Sequence, residues 1–299
     1  MKEDIKKEYE ASLKSIETEN YLDRWFYRPL GFQIARALRN TGVTPNQITI
    51  LSIFVGAAAG PFFYYNNLKL SILGILCLIA ANILDCVDGQ LARMTGIKSN
   101  IGRILDGLAG DIWFALIYIF LALRLKNEYG TYLFFIPAIL SGISHLIQAN
   151  ITDYYKTLHL YFVSREKGKE FQRLDEVRSQ YREMRGGVSK ILFYFYALYT
   201  QLQEKATPKL QALLQSLSEK YGDDIPGDIR LIFRKRSSRL MKRFIDFMTF
   251  NGRTAVLFIV VLIGQVWLYF VFEIIILNII LVISIYKHEK VCESISWKL

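Results

Sequence analysis

The chain of 299 residues has a mass of 34.7 kDa, 52% hydrophobic residues, a mean hydropathy of +0.23 and a formal net charge of +10. That apolar share exceeds what a soluble core requires, while 21% charged residues is too many for a bare membrane bundle, so apolar and basic stretches must alternate. The three cysteines, Cys77, Cys86 and Cys292, have neither metal-ligand spacing nor a paired framework, which excludes a disulfide scaffold and leaves them as small buried hydrophobes.

Residues 1–20 are polar and rich in Lys and Glu, with no apolar core of a signal peptide, so the N-terminus is expected in the cytoplasm. Arg24, Arg28, Arg36 and Arg39, interleaved with Trp25, Phe26, Leu30 and Phe32, predict an interfacial helix anchored on lipid. A bilayer crossing needs about 20 apolar residues, and four stretches approach this: 48–65, 70–84, 104–123 and 132–151. The block 254–286 would be about 50 Å as one helix, too long for one crossing, and is read as two spans turning near residues 269–273. Six spans place both termini on one side. Consistent with this, 34 of the 37 Lys and Arg residues fall in 1–47, 88–103, 152–253 and 287–299, which orients those segments to the cytoplasm of, most simply, a bacterial inner membrane.

Within 152–253 helical periodicity recurs. Thr207-Pro208 is a start signal for a helix with Leu210, Leu213, Leu214 and Leu217 along one stripe. The stretch 189–203 is aromatic and apolar, and 230–243 gathers seven Lys and Arg residues beside Leu231, Phe233 and Leu240. This reads either as a surface on anionic membrane lipids or as a solvated charged face; nucleic acid is not expected, because no binding motif accompanies the charge. The expected fold is therefore all-α and integral to the membrane, with six transmembrane helices, an N-terminal interfacial helix and a helical cytoplasmic insert. Its expected divisions are 1–151, 152–253 and 254–299.

The most informative residues are carboxylates where apolar sequence should be: Asp85, Asp88, Asp106 and Asp111. Acids in membrane segments rarely serve packing and mark ion paths, proton relays or metal sites. Asp85 and Asp88, three apart, share a helix face, as do Gly102 and Asp106, four apart. Hard oxygen ligands on two facing helices suit Mg²⁺ or Mn²⁺, which bridge carboxylates to substrate phosphates. His145, with Ser141, Ser144 and Gln148 at helical spacing, forms either a substrate-facing polar stripe or an interhelical hydrogen bond.

The run Asp85-x2-Asp88-Gly89-x2-Ala92-Arg93, followed by eight residues, Gly102, three residues and Asp106, resembles the signature of the CDP-alcohol phosphotransferases (CDP-alcohol phosphatidyltransferases). Thr44-Pro45-Asn46-Gln47-Ile48-Thr49 is similar to the segment that opens the family's first span. The resemblance implies a CDP-linked donor held through its pyrophosphate by a site of two Mg²⁺ or Mn²⁺ ions, an alcohol or lipid acceptor, and release of CMP. Carried over, Asp85, Asp88, Asp106 and Asp111 would ligate metal, Gly89, Ala92, Arg93 and Gly102 would line the donor site, and Asp111 would be the general base. Membrane lipids are further partners, and a homodimer is an admissible assembly.

One departure stands out. The family's final acid falls four residues after Asp106, where this chain has Gly110, with Asp111 one place late. On a regular helix an offset of five turns Asp111 about 140° away from Asp106, so a π-bulge between them is expected if Asp111 is to face the same cleft. Otherwise Asp111 is a polar residue at a helix end. The predicted function is a membrane transferase moving a substituted phosphate from a CDP-activated donor to a hydroxyl, in phospholipid synthesis, with inositol or inositol phosphate as the first acceptor. An inositol phosphorylceramide type of headgroup transfer is the alternative on the same fold, and a divalent-cation transporter is the alternative from another class.

Overall fold

The computed structural model of the protein describes residues 2–13, 15, 17–97, 100–163, 168, 171–184, 186–222 and 224–297. Among them every regular element is helical. The chain divides into two compact units, Met1–Leu146 with Phe250–Ile276 and Ile147–Thr249 with Leu277–Leu299.

The first unit begins with α1 (Lys2–Ser12), a π-helical turn at Asp23–Tyr27 and α2 (Arg28–Leu38). Trp25, Phe26, Leu30 and Ile34 are exposed here, while Tyr27, Phe32 and Ala35 are buried, the two-faced pattern of an amphipathic segment. Next comes α3 (Pro45–Ala57), which starts with a full capping box: Thr44 accepts from the backbone N–H of Gln47, and the Gln47 side chain accepts from the N–H of Thr44. A short α4 (Ala59–Tyr64) follows, then α5 (Leu68–Thr95), closed by Gly96 in the left-handed region, and α6 (Asn100–Tyr129). Two close approaches set the packing. A Cβ on Gly31 of α2 would fall 2.6 Å from the Gln90 side chain and 2.9 Å from Cβ of Cys86 on α5, and one on Gly56 of α3 would fall 2.5 Å from the Trp113 ring on α6. Both sites require glycine because the neighbouring helix occupies the side-chain volume. The core beneath includes Phe63, Leu78, Trp113, Phe114, Ile117 and Leu121.

This unit also holds α12 (Phe250–Leu262) and α13 (Trp267–Val271). The turn expected at residues 269–273 lies earlier. Gly264 adopts φ +75 and the N–H of Gln265 bonds to the carbonyl of Val260 at 2.9 Å, ending α12. The stretch expected to turn is helical instead, through a π-helical segment at Phe272–Ile276 that presents Glu273 inward. Arg253 of α12 pairs with Glu273, both almost fully buried.

In the second unit, α8 (Leu174–Glu183), α9 (Val188–Ala206), α10 (Pro208–Tyr221) and α11 (Gly227–Arg243) precede α14 (Leu277–Ser296). α10 starts at the expected Pro208 and buries Leu210, Leu213, Leu214 and Leu217. Its first turn is capped by Glu289 of α14, whose carboxylate accepts from the N–H groups of Lys209 at 2.6 Å and Leu210 at 3.2 Å.

Among the described residues five helices are long and apolar enough to cross a membrane: Pro45–Tyr64, Leu68–Thr95, Leu105–Tyr129, Tyr132–Val163 and Trp267–Ser296. The sixth apolar helix, α12, has 13 residues, about 20 Å at 1.5 Å per residue. The early turn at Gly264 is the reason for its shortness.

Candidate active site

α5 carries Asp85, Asp88, Gly89, Ala92 and Arg93 on its C-terminal half, and α6 carries Gly102 and Asp106 on its N-terminal half. Asp85, Asp88 and Asp106 each offer a carboxylate oxygen, and these lie within 4.8 Å of one another. Asp88 is buried, Asp85 partly so, and Asp106 is exposed, so the cluster opens at the Asp106 side.

Three like charges at such separations, one of them buried, need a counter-charge. Asp88 shows where one belongs. Its Oδ2 accepts a hydrogen bond of 2.5 Å from the Thr49 hydroxyl on α3, while its buried Oδ1 has no hydrogen-bond partner among the described residues. A buried carboxylate oxygen without a hydrogen bond, on a residue clustered with two further carboxylates, fits a divalent cation, and an all-oxygen donor set is what Mg²⁺ or Mn²⁺ takes.

Beside the acids, a Cβ on Gly89 would stand 3.1 Å from a terminal nitrogen of Arg93, so the guanidinium lies over a backbone that has no side chain to hold it off. The Nε of Arg93 donates to the Ser12 carbonyl, and Gln90 Nε2 donates to the Ser12 hydroxyl at 3.1 Å. The C-terminal end of α1 is therefore fastened to the same stretch of α5. Arg28 pairs with Glu19 at 3.0 Å nearby, and burial pushes the hydroxyl of Tyr27 up to about 12.

α6 is one uninterrupted α-helix from Asn100 to Tyr129, so the π-bulge expected between Asp106 and Asp111 is not formed. Among the described residues the π-helical segments lie at Asp23–Tyr27, which buries Tyr27, and Phe272–Ile276, which buries Glu273. Asp111 does not join the carboxylate cluster among the described residues; its Oδ1 lies 3.5 Å from Nε2 of His145 on α7 (Phe135–Val163). Of the two readings of the stripe around His145, an interhelical contact is the one formed, since Nδ1 also meets the Tyr118 hydroxyl at 3.0 Å.

Sequence reasoning missed Thr49, Ser12 and Gln90. Thr49 carried a signal, since it ends the Thr44–Thr49 segment and sits one helical turn past Pro45, the first residue of α3. Ser12 carried none, because its role depends on a chain separation of 81 residues to Arg93.

The fold and this site define a class: helical proteins with spans apolar enough to cross a membrane that bring acidic residues of adjoining helices together. Residues 42–167 match the family model of the CDP-alcohol phosphatidyltransferases. The chain is similar to the archaetidylinositol phosphate synthase of Pyrococcus horikoshii, 40% identical over 74 residues, 25% of this chain and 38% of the relative. It is also 34% identical over 80 residues to a CDP-diacylglycerol–serine O-phosphatidyltransferase of Mycobacterium leprae, covering 27% of this chain and 26% of that protein. A CDP-diacylglycerol–glycerol-3-phosphate 3-phosphatidyltransferase of Rickettsia typhi is 34% identical over 68 residues, 23% of this chain and 38% of its own length. The matches thus span well under two thirds of these relatives.

Proposed function

We propose that the protein is a membrane transferase of phospholipid synthesis, moving a substituted phosphate from a CDP-activated lipid or alcohol to a hydroxyl acceptor with release of CMP. The observation that carries this reading is the convergence of Asp85, Asp88 and Asp106, with a buried Asp88 oxygen left for a cation and Arg93 laid over Gly89 beside them. A cation transporter would use the acids but has no use for a guanidinium over a bare backbone.

In this reading Asp85, Asp88 and Asp106 hold two Mg²⁺ or Mn²⁺ ions, which, when bound, neutralise charge on the transferred phosphate and on departing CMP. Gly89, Ala92 and Gly102 leave room for the nucleotide, and Arg93 steadies its phosphates. Asp111 takes the acceptor's proton from the neighbouring face of α6. The termini and the site face the cytoplasm of a bacterial inner membrane, as the Lys and Arg distribution indicates. Inositol phosphate is the first acceptor to test, because the Pyrococcus horikoshii relative is named for it.

The test is CMP release by the detergent-purified protein from CDP-diacylglycerol with Mn²⁺ and, in turn, inositol 1-phosphate, inositol, glycerol 3-phosphate, serine or ceramide. One of these acceptors should support turnover, chelation should stop it, and Asp85→Asn, Asp88→Asn and Asp106→Asn should each abolish it in folded protein. Turnover by the triple variant would remove the metal assignment, and lipid product formed without any nucleotide would remove the CDP donor.

A further inference from the structure

On the regular α6, Asp111 lies about 7.5 Å along the axis from Asp106 and about 140° around it. Gly107 and Gly110 occupy the directions between, at about 100° and 40°. A Cβ built on either meets no described atom within 4 Å. A bare strip of helix surface therefore runs from the carboxylate cluster toward Asp111.

At the end of this strip the two side chains are held very differently. His145 is 6% exposed; its Nδ1 meets the Tyr118 hydroxyl at 3.0 Å and its ring lies against Phe114, centroids 4.8 Å apart. Phe114 and Tyr118 follow Asp111 on the same side of α6, so three residues of one helix clasp a single imidazole. Tyr118 is fixed in turn by stacking on Tyr269, centroids 6.0 Å apart. The side chain of Asp111, by contrast, is 26% exposed, with its Oδ1 3.5 Å from the ring's Nε2. A locked ring beside a partly open carboxylate can aim that carboxylate, as an orienting partner aims a catalytic base.

We propose that His145 is a positioning residue that holds Asp111 at the edge of the glycine strip, so that the second carboxylate oxygen faces an acceptor hydroxyl lying there. The proposal rests on the transferase reading above. In the step, the acceptor O–H proton passes to Oδ2 of Asp111, the freed oxygen bonds to the donor phosphorus, and the P–O bond to CMP breaks with its electron pair leaving on CMP. The imidazole stays neutral, donating Nε2–H to Oδ1 and accepting the Tyr118 hydroxyl at Nδ1. The chain thereby keeps a carboxylate for the acceptor although Gly110 stands where the family pattern has one.

Steady-state CMP release from CDP-diacylglycerol, with whichever probe acceptor the wild type uses, tests this alongside equilibrium dialysis of CDP with Mn²⁺. His145→Ala should lower kcat by about 10- to 100-fold, below the usual worth of the base itself, with KM for the donor and CDP binding within about twofold. His145→Gln, which keeps an N–H near the position of Nε2, should recover most of the loss. Wild-type kcat in His145→Ala overturns the proposal. So does a loss accompanied by lost CDP binding and no recovery in His145→Gln, the pattern of a merely structural histidine. A wild type that releases no CMP with any probe overturns the transferase reading and this inference with it, whereas the preceding outcomes overturn this inference alone.

Discussion

The Thr49 hydroxyl donates to Oδ2 of Asp88 at 2.5 Å, tying α3 to the most buried carboxylate of the cluster. The bond fixes which oxygen of Asp88 remains for a cation, so Thr49 governs the site without belonging to it. Thr49→Val keeps the shape and removes the donor. Outer-shell losses of this kind typically weaken metal binding about 10- to 100-fold. The Mn²⁺ concentration for half-maximal CMP release should rise by that factor, and an unchanged Mn²⁺ dependence would separate Thr49 from the metal.

Gly89→Ala places a methyl 3.1 Å from a terminal nitrogen of Arg93, so the guanidinium must shift. If Arg93 steadies donor phosphates, KM for CDP-diacylglycerol should rise about tenfold, corresponding to about 1.4 kcal/mol of lost donor binding. The melting temperature in detergent should stay within a few degrees, because the methyl meets a flexible side chain and no backbone. A normal KM in this variant would place the donor elsewhere.

Arg253 and Glu273 form an ion pair with side chains 2% and 0% exposed. Removing one partner leaves a buried charge uncompensated and typically costs about 3–5 kcal/mol, whereas replacing both by apolar residues of similar volume is often neutral. Glu273→Ala should therefore lower the thermal transition sharply, and Arg253→Met with Glu273→Met should restore most of it. Equal losses in the single and double variants would show that the pair itself stabilises the fold.

α11 buries Ile229, Phe233 and Met241 while leaving Leu231 61% exposed among Arg234, Lys235, Arg239 and Lys242. A basic face with an apolar residue in it should rest on anionic lipid. Hydrogen exchange in nanodiscs is expected to show stronger protection of residues 230–243 with anionic than with neutral lipid; identical protection would refute the electrostatic contact.

The sequence was most legible where chemistry is local. The Asp85–Arg93 run, the Pro208 start and the leucine stripe of α10 are each set by spacing within one helix, and the structure has the helices there. The carboxylate cluster was legible too, because apolar flanks make Asp85, Asp88 and Asp106 conspicuous. The turn before α13 was misplaced because polar Glu273 invites a break, while in the fold Arg253 on α12 pairs with the acid inside and Gly264 supplies the backbone freedom. The absent bulge in α6 has a similar origin: spacing showed that Asp111 points away from Asp106, but its partner on α7 is 34 residues distant in the sequence. Contacts such as Arg93 to Ser12 depend on tertiary packing and leave no trace in any single window.

The shortness of α12 has a mechanical consequence for the surrounding lipid. A helix of about 20 Å beside neighbours that run the full depth of a hydrocarbon slab of about 30 Å forces the leaflets to dimple toward it or lets headgroups sink along its ends. Deformation of this kind is local and elastic, and it lowers the barrier for an amphiphile to tilt out of the leaflet. Under the transferase reading proposed above, with a lipid donor, a thinned annulus would act as a ramp for substrate arriving and product leaving. The chain length between Thr249 and Gly264 then becomes a matter of membrane thickness: lengthening α12 by two turns should flatten the ramp and slow turnover most in thick, ordered bilayers.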